Sequence, residues 1–268
     1  MGAAKGPSGK GAPTTGVVKR VNTVHAARKP AQEIQKRSPD AAREAAWLPP
    51  LQRHVRPDGS VEYVTVRVRV LSGDTDHDFN AKFPDGPIEA RDITDVIAAK
   101  EGLTSLSAAL FSLWIVGKDL EIQLQPDMDI FVIMCKWYQF MMQYAHFPEA
   151  SNPNDSINRH WFIYRREASL SRQLEITCKE DVAIKLLYGE AKRNIHSGRW
   201  PCSIGDAISL AALQLQSISG DYHVKKNPHG YLSRNDAYKN FIPRHLHGKL
   251  KPSKWEAALT MQYKENSG

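Results

Sequence analysis

The chain has 268 residues, 41% of them hydrophobic and 24% charged, and this composition is typical of a globular protein with one or two hydrophobic cores. Its longest apolar runs, such as Ile130 to Cys135, are much shorter than the roughly 18 residues of a membrane-spanning helix. The start of the chain shows neither the apolar stretch of a signal peptide nor a myristoylation pattern. We therefore expect a cytosolic protein.

The distribution of charge disfavours a nucleic-acid-binding protein. The first 60 residues hold 11 Lys and Arg against 4 Asp and Glu, which accounts for the whole net charge of +7. The folded part that follows carries no net charge, whereas a phosphate-binding domain usually carries an excess of basic residues. Residues 1–57 are rich in Gly, Ala, Pro, Ser and Lys, and they predict a disordered basic arm.

The next part of the chain predicts strands and helices in a mixed order. Alternating valines from Val64 to Val70 predict a strand, and His77 to Phe83 predict its returning partner. A helix that ends at Gly102 follows, and after it come two short strands in ALFSLWIVG and LEIQLQP. Residues 127–147 predict a helix with an irregular start, residues 150–158 a loop, and the segment HWFIYRRE a last strand.

The remaining part of the chain predicts helices only. A hydroxyl residue is followed three positions later by a carboxylate four times, and each pair is a candidate capping box: Thr177 and Glu180, Ser203 and Asp206, Ser233 and Asp236, Ser253 and Glu256.

The apolar spacing assigns a buried face to each of the first two of these helices. The first is expected to bury Leu186, Tyr188 and Ile195, to expose Glu190, and to stop at Gly198. In the second, Leu210 and Leu213 widen the apolar stripe, so that the pattern predicts a central helix buried on most sides.

These features resemble the first two lobes of a FERM domain, over about residues 61–264. The resemblance rests on the strand FIYRRE, the helices LLYGEAKRNIHSGRWPC and AISLAALQLQSISGDY, and the segments GDYHVKKNPHGYL and NFIPRHL. It implies an α+β fold, with a ubiquitin-like β-grasp lobe at residues 58–170 and an all-α helical lobe, similar to acyl-CoA-binding protein, at residues 171–268. The third FERM lobe is expected to be absent, because the sequence reaches Gly268 before it.

The resemblance also implies a function and partners. It implies a non-enzymatic adaptor, peripheral at the cytoplasmic face of the plasma membrane, that binds a membrane-protein tail or a Rap-type small GTPase. In one member of the family such a GTPase contacts the first two lobes, which implies contacts near Lys82 in the first lobe and at the basic loop of the second.

Basic residues of the helical lobe group along the sequence, and they predict contact with anionic phospholipid or an acidic partner: Lys225, Lys226, Arg234, Lys239, Lys251 and Lys254. A solvated face is the structural alternative for this group. The functional alternative to an adaptor is a protein whose basic arm binds nucleic acid or filaments, although no specific nucleic acid is expected as a partner.

Catalysis and cofactor binding are not expected. Cys178, His196 and Cys202 lie at predicted helix ends and caps, where structural roles explain them. The sequence has no phosphate-binding glycine loop, no HExxH and no GxSxG. The cysteines form no CxxC pair, so a structural zinc site is not expected either.

Overall fold

A computed structural model describes residues 48–72, 76–145 and 159–267. The expected arm up to position 47 and the expected loop over 150–158 lie outside the described residues. The arm was expected to continue to position 57, and this boundary is wrong, because residues 51–55 form a strand.

The described residues form six strands, seven α-helices and two short 3₁₀ segments. The strands are β1 Leu51–Val55, β2 Val61–Val70, β3 His77–Phe83, β4 Phe111–Val116, β5 Glu121–Gln123 and β6 Trp161–Arg166. The helices are α1 Ala90–Glu101, α2 Ser105–Ala108, α3 Ile130–Tyr144, α4 Arg172–Thr177, α5 Asp181–Ser197, α6 Ile204–Ser219 and α7 Pro252–Asn266, and the 3₁₀ segments are Arg234–Asn240 and Arg244–Leu246.

All six strands belong to one mixed sheet. The strand order is β1-β2-β6-β4-β5. Strand β3 is not part of this series and pairs antiparallel with β2. Strands β2 and β6 are parallel, and Val68 lies opposite Phe162 in their register. Strand β1 pairs with the first half of β2, and β6 pairs with the last residues of β2. Strands β1 and β6 therefore share one edge of β2, and β3 lies along the other edge. The strands and the helix α1 expected from the sequence are therefore present.

The first hydrophobic core lies against one face of this sheet. The alternating valines of β2, from Val64 to Val70, are fully buried there, as the period of two predicts. Helix α1 contributes Ile93 and Ile97, and helix α3 contributes Trp137. Helix α5 adds Ala183 and Leu186 to the same cluster, so this helix packs on the sheet part of the protein although it follows the sheet in the sequence.

The second hydrophobic core lies between α6, α7 and the turns that connect them. Trp255, Leu259 and Tyr263 on α7 are fully buried against Ala211 and Leu215 of α6. Both cores belong to a single compact unit that contains the described residues. Within the described ranges, no helix combines the length and apolar character needed to cross a bilayer.

Only one of the four expected capping boxes is formed. Ser203 Oγ accepts the backbone N–H of Asp206 at 3.1 Å, and the Asp206 carboxylate accepts the N–H of Ser203. Thr177 instead ends α4, Ser233 makes no side-chain cap, and Ser253 lies inside α7 behind the N-cap Lys251. The prediction of a capping box is thus wrong at three positions, although a helical segment begins close to each of them.

Candidate functional site

The seven basic residues predicted for partner contact are all exposed, but they do not form one cluster. Lys82 lies on β3 opposite Thr65 in the sheet, with its ammonium group 4.5 Å from the centre of the Tyr63 ring. The other six lie on the turns and the helix of the second core. The structure therefore separates the site near Lys82 from the basic residues of the helical part.

Lys239 and Lys251 come together beside the start of α7. With Lys249 they line a shallow depression of about 630 Å³, which we call the lysine depression, whose other walls are Asp236, Tyr238, His247, Gly248, Leu250 and Pro252. The Lys239 ammonium group donates a hydrogen bond to Asp236 at 2.7 Å, which raises the pKa of Lys239. Three cations against one carboxylate leave the depression positive.

The floor of the lysine depression is rigid. Tyr238 is buried, and its ring stacks on Trp255 of α7 with the ring centres 6.2 Å apart. His247 lies within hydrogen-bond distance of the Ile242 carbonyl, at 2.8 Å. Because these groups are fixed by the second core, the exposed lysines project from a surface of defined shape.

Lys225, Lys226 and Arg234 lie on a loop that is attached to α7 by a buried carboxylate. Glu256 Oε1 accepts the Gly230 N–H at 2.5 Å, and Oε2 accepts the Ser233 N–H at 2.9 Å. Burial opposes ionisation of Glu256, but the hydrogen bonds from Ser233 and Gly230 outweigh it and lower the pKa of the carboxyl.

The role of Glu256 was missed in the sequence, where it was assigned to a cap. The sequence did contain a signal that Glu256 is buried, namely its spacing from buried residues of α7. Glu256 lies three and seven positions before the buried Leu259 and Tyr263, which is the spacing of a buried helical stripe.

A second groove runs between this loop and α7. It has a volume of about 640 Å³ and is lined by both apolar and polar groups, among them Tyr222, Val224, Tyr231, Met261 and Lys264. The Lys264 ammonium group lies 4.9 Å from the centre of the Tyr222 ring. Neither Lys225 nor Lys226 lines this groove, although both belong to its loop. Lys254 is exposed in the first turn of α7.

A buried ionic network joins the sheet to α5. Arg165 on β6 donates from Nε to Glu190 and from Nη1 to Glu121, both at 2.8 Å. Arg199, which follows α5, pairs with Glu121 as well. Burial opposes ionisation of Glu121, but Arg199 and Arg165 outweigh it and lower its pKa. The expectation that Glu190 faces solvent is wrong, because only 4% of it is exposed.

The thiols have structural surroundings. Cys178 and Cys202 are partly buried and pack against the two cores, whereas Cys135 is exposed on α3. Burial, and then the nearby Asp206 carboxylate, raise the pKa of Cys202, which makes its thiolate scarce at neutral pH. In the described part of the chain, no group of His, Cys, Asp and Glu side chains is arranged to hold a metal ion.

Similar proteins were found by sequence and by structure. Residues 173–268 match the FERM central domain. FERM domain-containing protein 8 of Homo sapiens is 25% identical over 146 residues, which cover 54% of this chain and 30% of that protein. FERM domain-containing protein B of Dictyostelium discoideum is 30% identical over 101 residues, or 38% of this chain and 20% of that protein. The chain thus spans about a third or less of these relatives' length.

Two solved structures share the fold. The MyTH4-FERM MF2 domain of Dictyostelium discoideum myosin VII has a TM-score of 0.57 and 16% identity, covering 76% of this chain and 38% of that chain. The FERM domain of Drosophila Merlin, solved in complex with its C-terminal domain, has a TM-score of 0.50 and 17% identity, covering 75% of this chain and 59% of that chain. Residues 173–268 thus match a FERM central domain, and the described fold is similar to that of solved FERM domains.

Proposed function

We propose that this chain is a non-enzymatic adaptor that binds anionic phospholipid through its lysine depression and holds a membrane-protein tail or a Rap-type small GTPase. It would act at the cytoplasmic face of the plasma membrane. FERM domains generally bind proteins and link them to membranes, which supports this role. The observation that carries the proposal is the placement of Lys239, Lys249 and Lys251 around one rigid, open depression.

The finer architecture belongs to this proposal. We assign residues 51–170, which include β1, to a ubiquitin-like lobe and residues 171–268 to a helical lobe similar to acyl-CoA-binding protein. The β2–β3 hairpin, the parallel pairing of β2 with β6 and the separate second core support this division. Helix α5 packs on the first core, so the boundary between the lobes would be a fixed joint.

Lys82 supports the GTPase part of the proposal. It lies on β3, which is an outer strand of the sheet, and Arg67 and Arg69 lie on the neighbouring β2. Arg67 donates to Asn80 at 3.3 Å, and Arg69 contacts Asp78 at 3.4 Å. This basic surface would suit an acidic partner surface, since complementary charge raises both the rate and the specificity of association.

Vesicle binding tests the lipid part. We expect the protein to sediment with vesicles that contain phosphatidylserine, more at about 50 mM salt than at about 300 mM, because salt screens surface charge. Lys239→Glu with Lys251→Glu should weaken binding at least about tenfold, since each basic residue near an anionic leaflet contributes about 1 kcal/mol. The matched control reverses Lys100 and Lys118, which are exposed on the sheet part. Equal losses in both variants would contradict a local site.

Retention on immobilised partners tests the protein part. Either the GTP-bound form of a Rap-type GTPase should retain the wild-type chain and not the Lys82→Glu variant, or a membrane-protein cytoplasmic tail should retain both. Equal and weak retention by both GTPase states and the tail would remove both partners. If instead deletion of residues 1–47 abolished strong binding to RNA or filaments, the arm would be the functional element. That deletion spares β1.

A further inference from the structure

Helix α6 has two apolar faces, and the second core covers only one of them. Ala207, Ala211 and Leu215 are buried in that core. Leu210 and Leu213 lie about 100° and 160° around the helix from Ala211, measured in the same direction, because successive residues turn by about 100°. They remain 42% and 53% exposed. The expectation that α6 is buried on most sides is therefore wrong for the described residues.

Helix α5 shows the same division. Its buried face, with Ala183, Leu186 and Glu190, packs on the sheet part. Tyr188 lies on the opposite side of the helix and is 42% exposed, and Ile184 is 44% exposed. A helix that is apolar on two sides is normally covered on both, so α5 and α6 each carry one side that lacks a full cover.

The two incompletely covered sides meet at one groove, which we call the α5–α6 groove. Tyr188, Ala191 and Ile195 form one wall, and Leu210 and Gln214 form the other. Phe241 and Pro243 close one part of it. Its volume of about 120 Å³ is below the roughly 300 Å³ at which small-molecule pockets begin, so the groove suits protruding side chains and not a whole ligand.

The border of the groove is positively charged. Lys192 lines it, and Arg244 lies close enough to act electrostatically on His196, which also lines the groove; burial lowers the pKa of His196, so its imidazole adds no positive charge at neutral pH. Lys185 is exposed two helical turns before Lys192 on the same helix. The acidic residue at the start of α6, Asp206, accepts a hydrogen bond from Ser203 at 2.7 Å within its cap.

We propose that the α5–α6 groove binds an amphipathic helix of a protein partner, whose apolar stripe covers Tyr188 and Leu210 and whose flanks carry acidic residues. An amphipathic helix places side chains in a groove at positions i, i+3 or i+4 and i+7, and a groove between two helices suits this spacing. Acidic flanks would meet the positive border, and complementary charge fixes the orientation of the docked helix.

A second copy of this chain is a poorer occupant. Apart from α5 and α6, the described helix α3 exposes several apolar side chains, among them Val132, Tyr138 and Met142. Its sequence, IFVIMCKWYQFMMQY, contains Lys136 and no acidic residue. It would therefore bring a positive charge to a positive border, which disfavours this pairing.

A labelled peptide tests the proposal directly. The probe is an amphipathic helix of about 18 residues with a leucine stripe flanked by glutamates, and its binding to the full chain is followed by fluorescence anisotropy. Two comparison peptides have the same composition in scrambled order, or lysines in place of the glutamates. We expect at least about tenfold tighter binding of the glutamate-flanked helix than of either. Equal binding of all three would overturn the proposal.

Variants locate the bound helix. Tyr188→Gln with Leu210→Gln, the groove pair, should weaken peptide binding at least about tenfold, and Lys192→Glu should reduce the preference for acidic flanks. The matched control is Ile218→Gln with Met261→Gln, which alters two exposed apolar residues that do not line the groove. All these positions are at least partly exposed, and circular dichroism checks that the variants stay folded.

Three outcomes would reject the docked helix. In the first, the control pair loses as much peptide affinity as the groove pair. In the second, the protein is dimeric in sedimentation and only the groove pair makes it monomeric, which would assign the groove to self-association. In the third, the groove pair reduces vesicle binding and leaves peptide binding unchanged. Because the lysine depression lies elsewhere, failure here leaves the vesicle result of the proposed function intact.

Discussion

Arg165 on strand β6 donates a hydrogen bond from Nε to Oε1 of Glu190 on helix α5 over 2.8 Å, and both side chains are buried. The second oxygen of Glu190 accepts the backbone N–H of Arg166 at 2.7 Å. Both carboxylate oxygens are thus satisfied, so the pair specifies how α5 lies on the sheet. A rigid two-core surface, which the proposed adaptor requires, depends on this joint.

Removal of Glu190 should destabilise the protein strongly. Glu190→Ala leaves the buried Arg165 guanidinium with a single carboxylate partner, Glu121, and breaking a buried ion pair typically costs about 3 to 5 kcal/mol of unfolding free energy. Glu175→Ala removes the more exposed partner of Arg166 and should cost about 1 kcal/mol or less. Urea denaturation of both variants measures the difference. Similar small losses would show that the Arg165–Glu190 pair is not what fixes α5.

Glu256 should make stability depend on pH. Its pKa in the folded protein is lowered, so its contribution to stability is present above the pKa of the unfolded chain and is lost as the pH falls through the folded-state pKa. Glu256→Gln should therefore reduce the unfolding free energy at neutral pH and flatten its decline below about pH 5. Glu265→Gln, an exposed change on the same helix, is the control. A wild-type acid profile in Glu256→Gln would exclude this role.

Two glycines should respond to alanine with opposite signs. Gly198 ends α5 with φ +82°, and an added Cβ would lie 3.2 Å from His245, so Gly198→Ala should cost about 1 kcal/mol or more. Gly205 lies in the first turn of α6 with only an ordinary contact to Ser203, so Gly205→Ala should stabilise by about 0.5 to 1 kcal/mol. Thermal unfolding followed by circular dichroism compares the two. Melting temperatures that shift in the same direction would contradict the left-handed role of Gly198 or the ordinary helical role of Gly205.

Thiol labelling should separate the three cysteines. Cys135 is exposed and should react rapidly with a thiol-directed reagent at neutral pH. Cys202 should react slowly, because it is partly buried and its pKa is raised. Mass spectrometry of peptides from a timed reaction gives the order. Rapid, selective labelling of Cys178 or Cys202 would instead indicate an activated thiolate and reopen the question of catalysis.

The sequence predicted the elements whose signals are local. The alternation from Val64 to Val70 requires only a strand with one buried face, and it holds over the whole of β2. Gly102 and Gly198 end their helices in the left-handed conformation, which is a property of the residue itself. These predictions are confirmed because the preference for a strand or for a left-handed helix end depends on neighbouring residues alone.

The roles of the Glu190 and Glu256 carboxylates were predicted wrongly, because their hydrogen-bond partners are distant in the sequence. Glu190 follows Leu186 by four residues and shares its buried face, but only the fold brings Arg165, 25 residues earlier, into contact with it. Glu256 fits a capping box by spacing, yet its carboxylate is used by the amides of Gly230 and Ser233. A carboxylate three residues after a hydroxyl residue accepts hydrogen bonds either from the amides of its own helix cap or from amides that are distant in the sequence. The sequence does not distinguish these two cases.

The sequence by itself determined strands β2 to β6 and the left-handed ends of α1 and α5, since these follow from periodicity and from the conformational preferences of single residues. Only the tertiary structure decided which side of α5 and α6 is covered. Both helices are apolar on two sides, so periodicity alone leaves open which side is packed. The Arg165–Glu190 pair fixes the packed side of α5, and the contact with α7 fixes the packed side of α6. The opposite side of each helix then faces the α5–α6 groove.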